Sequence, residues 1–426
     1  MTHEADVVVV GGGMVGALTA LAMARCELQV TLVEKITPRA FDRGEHDIRV
    51  SAISHATLEM FEAVGVWQDI KDKRVCPYKR MQVWDQETRA ETKFDSAAIG
   101  YTQLGFIVEN GLMQHVLWQH LESLENVTLQ CPDSVTSIDL PSSPGLQGGS
   151  QVSTVSLSSG VRIDTGLIVA ADGAASSVRT LAGIKTDGEA FDQHALVATV
   201  RTSKPQQDIT WQRFTKTGPQ AFLPLAGDRA SVVWYHTQDR VAELKAMPRD
   251  DFIVAMHAEF PELLGEITAV EQMGSFPLQW SHAEQYCKPG FALVGDAAHA
   301  VHPLAGQGVN LGMLDAAVLL QCVMDGLSAG REVGHFRDLR RYERWRKPSN
   351  QLMISLLNGI QQAFQPSEQG IAKAIVLKAL RTSALNMADN LSPLNRQCMR
   401  SAMGLSGELP ELAQGRLPGV SALNSG

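Results

Sequence analysis

Very little in this 426-residue sequence is arranged for metal or disulfide chemistry. Its six cysteines (Cys26, Cys76, Cys131, Cys287, Cys322 and Cys398) are scattered, form no CxxC pair and have no histidines at ligand spacing. That pattern excludes a disulfide scaffold or a zinc ribbon and suits a reducing cytoplasm. Long apolar runs are equally scarce. Residues 7–24 could pass for a signal peptide, but Glu4 and Asp6 precede them where positive charge belongs, and glycines interrupt them. Elsewhere no stretch reaches about 18 uninterrupted apolar residues, so no membrane-spanning helix is expected. Basic charge is not in excess either: 37 Lys and Arg face 46 Asp and Glu, a formal charge of −9. Such a balance gives no electrostatic footprint for nucleic acid. There is no internal repeat. What remains is ordinary globular composition, 44% apolar and 19% charged, at a length for two or three domains.

The chain opens on a strand at Asp6–Val10, a glycine turn, a helix to about Cys26 and a second strand at Gln29–Glu34. This is the start of a doubly wound α/β domain. Strand–loop–helix units recur at Leu167–Leu181 and Phe291–Met324. If all three meet at one ligand, the first domain is discontinuous, comprising residues 1–184 and 286–330. Strands rich in β-branched and aromatic residues at Ala195–Arg201, Ala221–Leu225 and Ser231–Tyr235 point to an antiparallel sheet inserted at 185–285. Pro141–Ser150 reads as a surface loop. A helical region is expected over 331–412, and a flexible tail over 413–426.

The strongest motif is Gly11-x-Gly13-x-x-Gly16, which follows an apolar strand and opens a helix. Gly11 permits the tight turn, Gly13 lets a pyrophosphate approach the backbone, and Gly16 allows close helix–strand packing. The helix N-terminus offers free N–H groups to phosphate. Glu34 closes the second strand where an acid would bind a ribose hydroxyl, favouring FAD or NAD over NADP.

Two further segments choose between these dinucleotides. Asp172-Gly173 ends one strand, with Arg179 shortly after, and Gly295-Asp296 ends another. The second leads through His302 and Pro303 into Gly306-Gln307-Gly308-Val309-Asn310. An acid at a strand end can accept hydrogen bonds from a ribityl chain. The glycines let backbone approach a flat ring at a helix N-terminus, which could stabilise negative charge on it. A nicotinamide dehydrogenase needs neither feature. His299 and His302 stand three apart without a third ligand, so a packing role suits them better than a metal.

Together these residues resemble the FAD-dependent aromatic hydroxylases. Residues 47–54 (DIRVSAIS), 105–114 (GFIVENGLMQ) and 294–312 (VGDAAHAVHPLAGQGVNLG) are similar to the ubiquinone-biosynthesis group among them. The resemblance runs to about residue 412. It implies a Rossmann-like, discontinuous FAD-binding domain with an inserted substrate domain and a helical C-terminal region. It implies cofactor contacts from Arg49, Glu109, Gln114, Asp172, Asp296, Pro303, Gly306, Gly308, Val309 and Asn310, beside Gly11, Gly13, Gly16 and Glu34. The implied reaction is hydroxylation of a polyprenylated phenol through a flavin hydroperoxide, formed from O2 and FAD reduced by NAD(P)H or an electron-donor protein. Water exclusion matters there, because a solvated adduct decays to peroxide. Phe222, Pro224 and Trp234, on strands of the second domain, are candidates for the substrate pocket. No acid–base residue can be chosen. Three other readings stay open: the related demethoxyubiquinol hydroxylation, hydroxylation of a small soluble aromatic, and a non-catalytic FAD-containing component of a biosynthetic assembly.

Charge is unevenly spread. Residues 331–400 hold 12 Lys and Arg against 5 Asp and Glu. Arg337, Arg340, Arg341, Arg344, Arg346 and Lys347 cluster on one expected helix. Ala372, Ile375, Val376, Ala379 and Leu380 make an apolar face opposite Lys378 and Arg381. A basic amphipathic helix can lie on anionic lipid. The region could therefore place a cytoplasmic protein peripherally on the membrane or in a multiprotein complex; a helix packed on the body with a solvated face is the alternative.

Overall fold

The computed structural model describes residues 2–141, 152–205, 207–261, 265–302, 306, 308–364, 382, 383, 385, 387, 389 and 392–419. Three separated stretches of chain build its first sheet. Thr2–Val10 lies between Arg162–Ala170 and Val30–Val33, parallel to both, and Phe291–Leu293 lies parallel on the far side of Arg162–Ala170. Val7 to Val10 are buried, as expected of a parallel strand covered on both faces. The register is decisive for function. Val10 stands opposite both Val33 and Ala170, and Ala170 opposite Leu293. The loops carrying Gly11, Glu34, Asp172 and Asp296 therefore leave from one carboxyl-end edge, where open α/β sheets bind ligands.

The helix Met14–Arg25 covers this sheet and packs against Asn110–Glu122 and Gly308–Ser328. Among the described residues, Gly308–Ser328 is long and apolar enough to cross a membrane, yet most of it is buried in the body. It serves here as a core helix.

The second sheet has eight strands in the order His299–Ala300, Ile267–Ala283, Thr186–Thr202, Arg229–His236, Gly218–Pro224, Ile209–Thr215, Arg80–Asp85 and Glu91–Asp95. The last two lie outside the boundaries expected for the inserted domain. They join because Ile209–Thr215 pairs in parallel with Arg80–Asp85, a long-range match that no local pattern announces. His299–Ala300 pairs with Ser281 and His282, so the segment after Asp296 is stitched directly to the second sheet. A small sheet of Val50–Ile53, Gly105–Glu109 and Cys76–Tyr78 closes one side.

The C-terminal region departs from expectation at its end. Through Gly419 it is packed rather than frayed: Leu412 and Ala413 are buried, Leu417 rests on the main core, and the Cys26 thiol donates to the Pro418 carbonyl at 3.6 Å. The short helix Glu411–Gln414 caps the helices His55–Ala63 and Gly308–Ser328. The basic cluster takes the packed arrangement given above as the alternative, four of its six side chains being bonded within the protein. Arg340 pairs with Glu343, Arg341 with Asp325, and buried Arg346 with Asp315 at 2.7 Å; Lys347 donates to the Glu284 carbonyl. The helix Phe336–Phe364 is thereby tied to the body. The amphipathic face at 372–381 lies outside the described residues, as do Pro303 and most of the 141–150 loop.

Candidate cofactor and substrate cleft

Main chain dominates one wall of the cleft. Gly11 takes φ +104°, and a Cβ there would stand 2.5 Å from the Ala171 carbonyl oxygen. At Gly16 a Cβ would overlap the Gly11 carbonyl oxygen, so helix and turn touch through main chain alone. Gly13 differs from both. It caps the helix Met14–Arg25 in an ordinary extended conformation, and a Cβ added to it meets nothing within 4 Å. The protein itself has no need for a glycine at that position. The vacant space lies at a helix N-terminus, where a pyrophosphate could bind. These residues fit a dinucleotide.

The Gly12 peptide between them is held from both sides. Its N–H donates to Glu34 Oε2 at 2.5 Å, and its carbonyl accepts from Gln114 Nε2 at 2.7 Å and Trp118 Nε1 at 2.8 Å. Gln114 is thus a brace for the turn, with Trp118 a second one that the sequence reading missed. Glu34 also accepts from the Ile36 N–H at 2.8 Å.

Glu109 is buried and pairs with Arg74 at 2.5 Å, while accepting the Asp47 N–H. Asp47 in turn accepts the N–H groups of Arg49 and Gly111. This frame presents exposed Arg49 to the cleft, its guanidinium 6.0 Å from the centre of the Phe276 ring. Glu109 is a positioning residue, and Arg49 is the group that a ligand can meet.

Asp172 accepts from Ser176, Ser177 and the Val178 N–H, capping the helix Ser177–Leu181. Arg179 of that helix donates to the carbonyls of Ala297 and Ala174 at 2.8 and 2.9 Å, clamping the two acid-bearing loops together. Asp296 opens onto the cleft. Burial by the surrounding walls raises its carboxyl above the usual range, with His299 and Arg49 opposing. Behind it lies a buried network that the sequence did not reveal. Asp315 accepts from the Gly295 N–H at 3.1 Å, from His299 at 2.5 Å and from Arg346 at 2.7 Å. Burial would raise the Asp315 carboxyl, but His299 and Arg346 outweigh it and hold the group down at about 2. Asn310 has a comparable bracing role, since its side chain bonds Ser54, Thr57 and the Ala52 carbonyl.

Gly13, Arg49, Asp296, Gly306, Gly308 and Val309 all line one cavity of about 490 Å³. Gly11, Gly16, Glu34, Glu109, Gln114, Asp172 and Asn310 stand behind that wall. The opposite wall is the second sheet, contributing Gln212, Ala221, Leu223, Val233 and Tyr235. Met81, Phe94, Leu104, Met399 and Met403 line a further part of it. Among the described lining residues, the second-sheet wall carries no carboxylate or imidazole. Its buried Tyr235 phenol is raised by loss of solvent, and burial pushes Tyr78 up to about 12, so both stay protonated at neutral pH.

Phe222, Pro224 and Trp234 do not face this cavity. Phe222 and Trp234 are buried in a separate apolar cluster on the other side of the sheet, where Trp234 meets Phe260 edge-on at 5.4 Å. Successive strand residues alternate faces, and the expectation fell on the wrong parity. Their neighbours Ala221, Leu223, Val233 and Tyr235 are the ones that line it.

The comparisons with known proteins bear on this geometry. Residues 4–355 match the model of the FAD binding domain family. The chain is 36% identical over 407 residues to the 3-demethoxyubiquinol 3-hydroxylase of Escherichia coli strain K12, covering 95% of this chain and all of that one. It is 32% identical to the ubiquinone hydroxylase of Rhodospirillum rubrum, covering 96% and 93% respectively. It is 31% identical to the human mitochondrial ubiquinone biosynthesis monooxygenase, covering 93% and 92%. The crystal structure of p-nitrophenol 4-monooxygenase from Pseudomonas putida shares the fold, with a TM-score of 0.74 over 96% of this chain at 19% identity. A dinucleotide cradle of main chain, facing an apolar cavity on a second sheet, is what an FAD-dependent monooxygenase requires. The chain belongs to the FAD binding domain family and, within it, to the ubiquinone-biosynthesis hydroxylases.

Proposed function

We propose that this enzyme hydroxylates the ring of a polyprenylated phenol in ubiquinone biosynthesis. The supporting observation is the cavity that joins Gly13, Arg49 and Asp296 to an apolar lining of Met81, Phe94, Leu104, Met399 and Met403. A ring could lie against the cofactor wall while a prenyl tail rests among the methionines, whose flexible side chains adapt to irregular apolar ligands. FAD, reduced by NAD(P)H or a donor protein, supplies the O2-activating chemistry. The protein's share is to bind, orient and exclude water. Arg49, held out by the Asp47–Glu109–Arg74 frame, and Asp296 would contact the cofactor, with the N-terminal glycines of Gly308–Ser328 beside its ring. A tail leaving beside the helix Ser392–Ala402 would place exposed Leu394 and Arg400 toward a membrane or a partner protein.

The Escherichia coli relative favours a second reading, in which the ring is already methoxylated and the substrate is a demethoxyubiquinol. Deleting the gene and weighing the lipid-quinone intermediates by mass spectrometry separates the two. Accumulated prenylphenol supports the first reading, accumulated demethoxyubiquinol the second, and an unchanged quinone pool sinks both.

A further inference from the structure

One row across the second sheet carries three unpaired hydroxyls. Ser231 stands opposite Thr199 on one side and opposite Leu223 on the other. Thr210 precedes Trp211, which is itself opposite Phe222, so Thr210 continues the same row beyond Leu223. The three hydroxyl residues are 0 to 2% exposed, and none of their oxygens has a hydrogen-bond partner. Thr210 and Ser231 line the cavity, and Thr199 is two residues from cavity-lining Val197 on the same face of its strand. Buried polar groups in folded proteins are nearly all paired, and leaving a hydroxyl unpaired is costly. Two such hydroxyls on the cavity wall, with Thr199 beside Ser231 in the row, call for a ligand carrying oxygen.

We propose that Thr210, Ser231 and Thr199 form a recognition site for oxygen substituents on the substrate ring. The proposal rests on the aromatic-hydroxylase reading above, in its second form, where the ring is already methoxylated. Each hydroxyl can accept from a phenolic O–H or donate to an alkoxy oxygen. The row thereby selects a ring bearing a second oxygen over a ring bearing one, and it sets which edge of the ring turns toward the cofactor. A site built to hydrogen-bond a substrate oxygen rejects an analogue lacking it more strongly than an apolar pocket rejects a missing methylene.

The test titrates FAD-loaded enzyme with 2-prenylphenol and with 2-methoxy-6-prenylphenol, reading the perturbation of the flavin absorbance. The wild type binds the methoxylated ring more tightly. Of Thr210→Val, Ser231→Ala and Thr199→Val, at least one shrinks that preference by about 3- to 10-fold, the worth of one neutral hydrogen bond. Thr210→Ser keeps it. With ligand absent, the three apolar variants melt no lower than the wild type, because they delete unpaired groups. With the methoxylated ring present, they divert more O2 to peroxide. A preference unmoved by all three variants would overturn the proposal. So would a drop in ligand-free melting temperature in each, which would assign the row to buried water. A wild-type flavin unperturbed by either phenol would instead sink the functional reading, and this one with it.

Discussion

The cofactor wall of the cavity is largely main chain, whereas the facing wall is made of side chains projecting from a sheet. On the first wall, glycines decide what can approach, and the register of four parallel strands brings their loops to one edge. On the second, the parity of each strand residue decides whether it faces the cavity or the core. Main-chain sites tolerate few substitutions, because the missing Cβ is the functional feature. Side-chain sites can be rewritten residue by residue, and that is where members of one family can diverge in substrate. The comparison predicts two kinds of damage: loss of the fold or the cofactor on one wall, and altered selectivity on the other.

The largest effects fall within the glycine turn and divide it. Gly16→Val drives a side chain into the Gly11 carbonyl, so no soluble folded protein is expected. Gly13→Val has open space and ordinary backbone angles, so the chain folds with wild-type circular dichroism. It is isolated colourless, since the valine occupies the space expected for the pyrophosphate. Flavin absorbance per mole of protein, measured beside the circular dichroism, checks both. A yellow Gly13→Val protein would show that this turn does not hold the cofactor.

A smaller effect tests the second wall by parity. Phe222→Ala removes a buried ring on the side away from the cavity and is expected to cost about 3–5 kcal/mol of stability, with KM unchanged. Its neighbour Ala221→Trp fills the cavity side and is expected to abolish hydroxylation while shifting the urea midpoint little. Reversed outcomes, with Phe222→Ala altering KM and Ala221→Trp only destabilising, would show that the two faces have been exchanged.

The same contrast explains what was legible beforehand. The first sheet could be read because Gly11–Gly16, Glu34, the Asp172 turn and the Asp296 turn are local patterns that each mark the end of a strand. Their convergence followed from strand–loop–helix units ending alike. Roles behind the wall were not legible. Glu109, Gln114 and Asn310 carried the family pattern, yet in the fold they brace a frame, a peptide and a helix start. The partners of Asp315 lie 16 and 31 residues away and on other elements, so no spacing rule joins them. The hairpin Arg80–Asp95 joined the second sheet through a parallel pairing more than a hundred residues distant. The candidates Phe222, Pro224 and Trp234 each stand one residue from a cavity-lining neighbour, which in a strand amounts to the opposite side of the sheet.

Where the two walls meet, His302 offers the smallest of these effects and the most direct probe of the joint. It follows the strand His299–Ala300 that binds the Asp296 segment to the second sheet, and its ring packs edge-on against Phe191 and Tyr235 at 5.3 and 5.5 Å. Burial lowers the imidazole to about 4, so the folded protein keeps it neutral where the unfolded chain, titrating near 6.5, takes up a proton. Between those values the unfolded state binds more protons, and stability must fall as pH falls from about 6.5 toward 4. The gap corresponds to roughly 3 kcal/mol at full effect. His302→Phe keeps an aromatic ring at the joint and removes the titration, so the acid side of its stability profile should flatten. His46 and His282, also lowered by burial, retain their own share of the slope. Urea unfolding at a series of pH values measures the difference. An unaltered slope in His302→Phe would mean that the ring is not sealed between the walls, and that the joint is more open to water than the packing of Phe191 and Tyr235 implies.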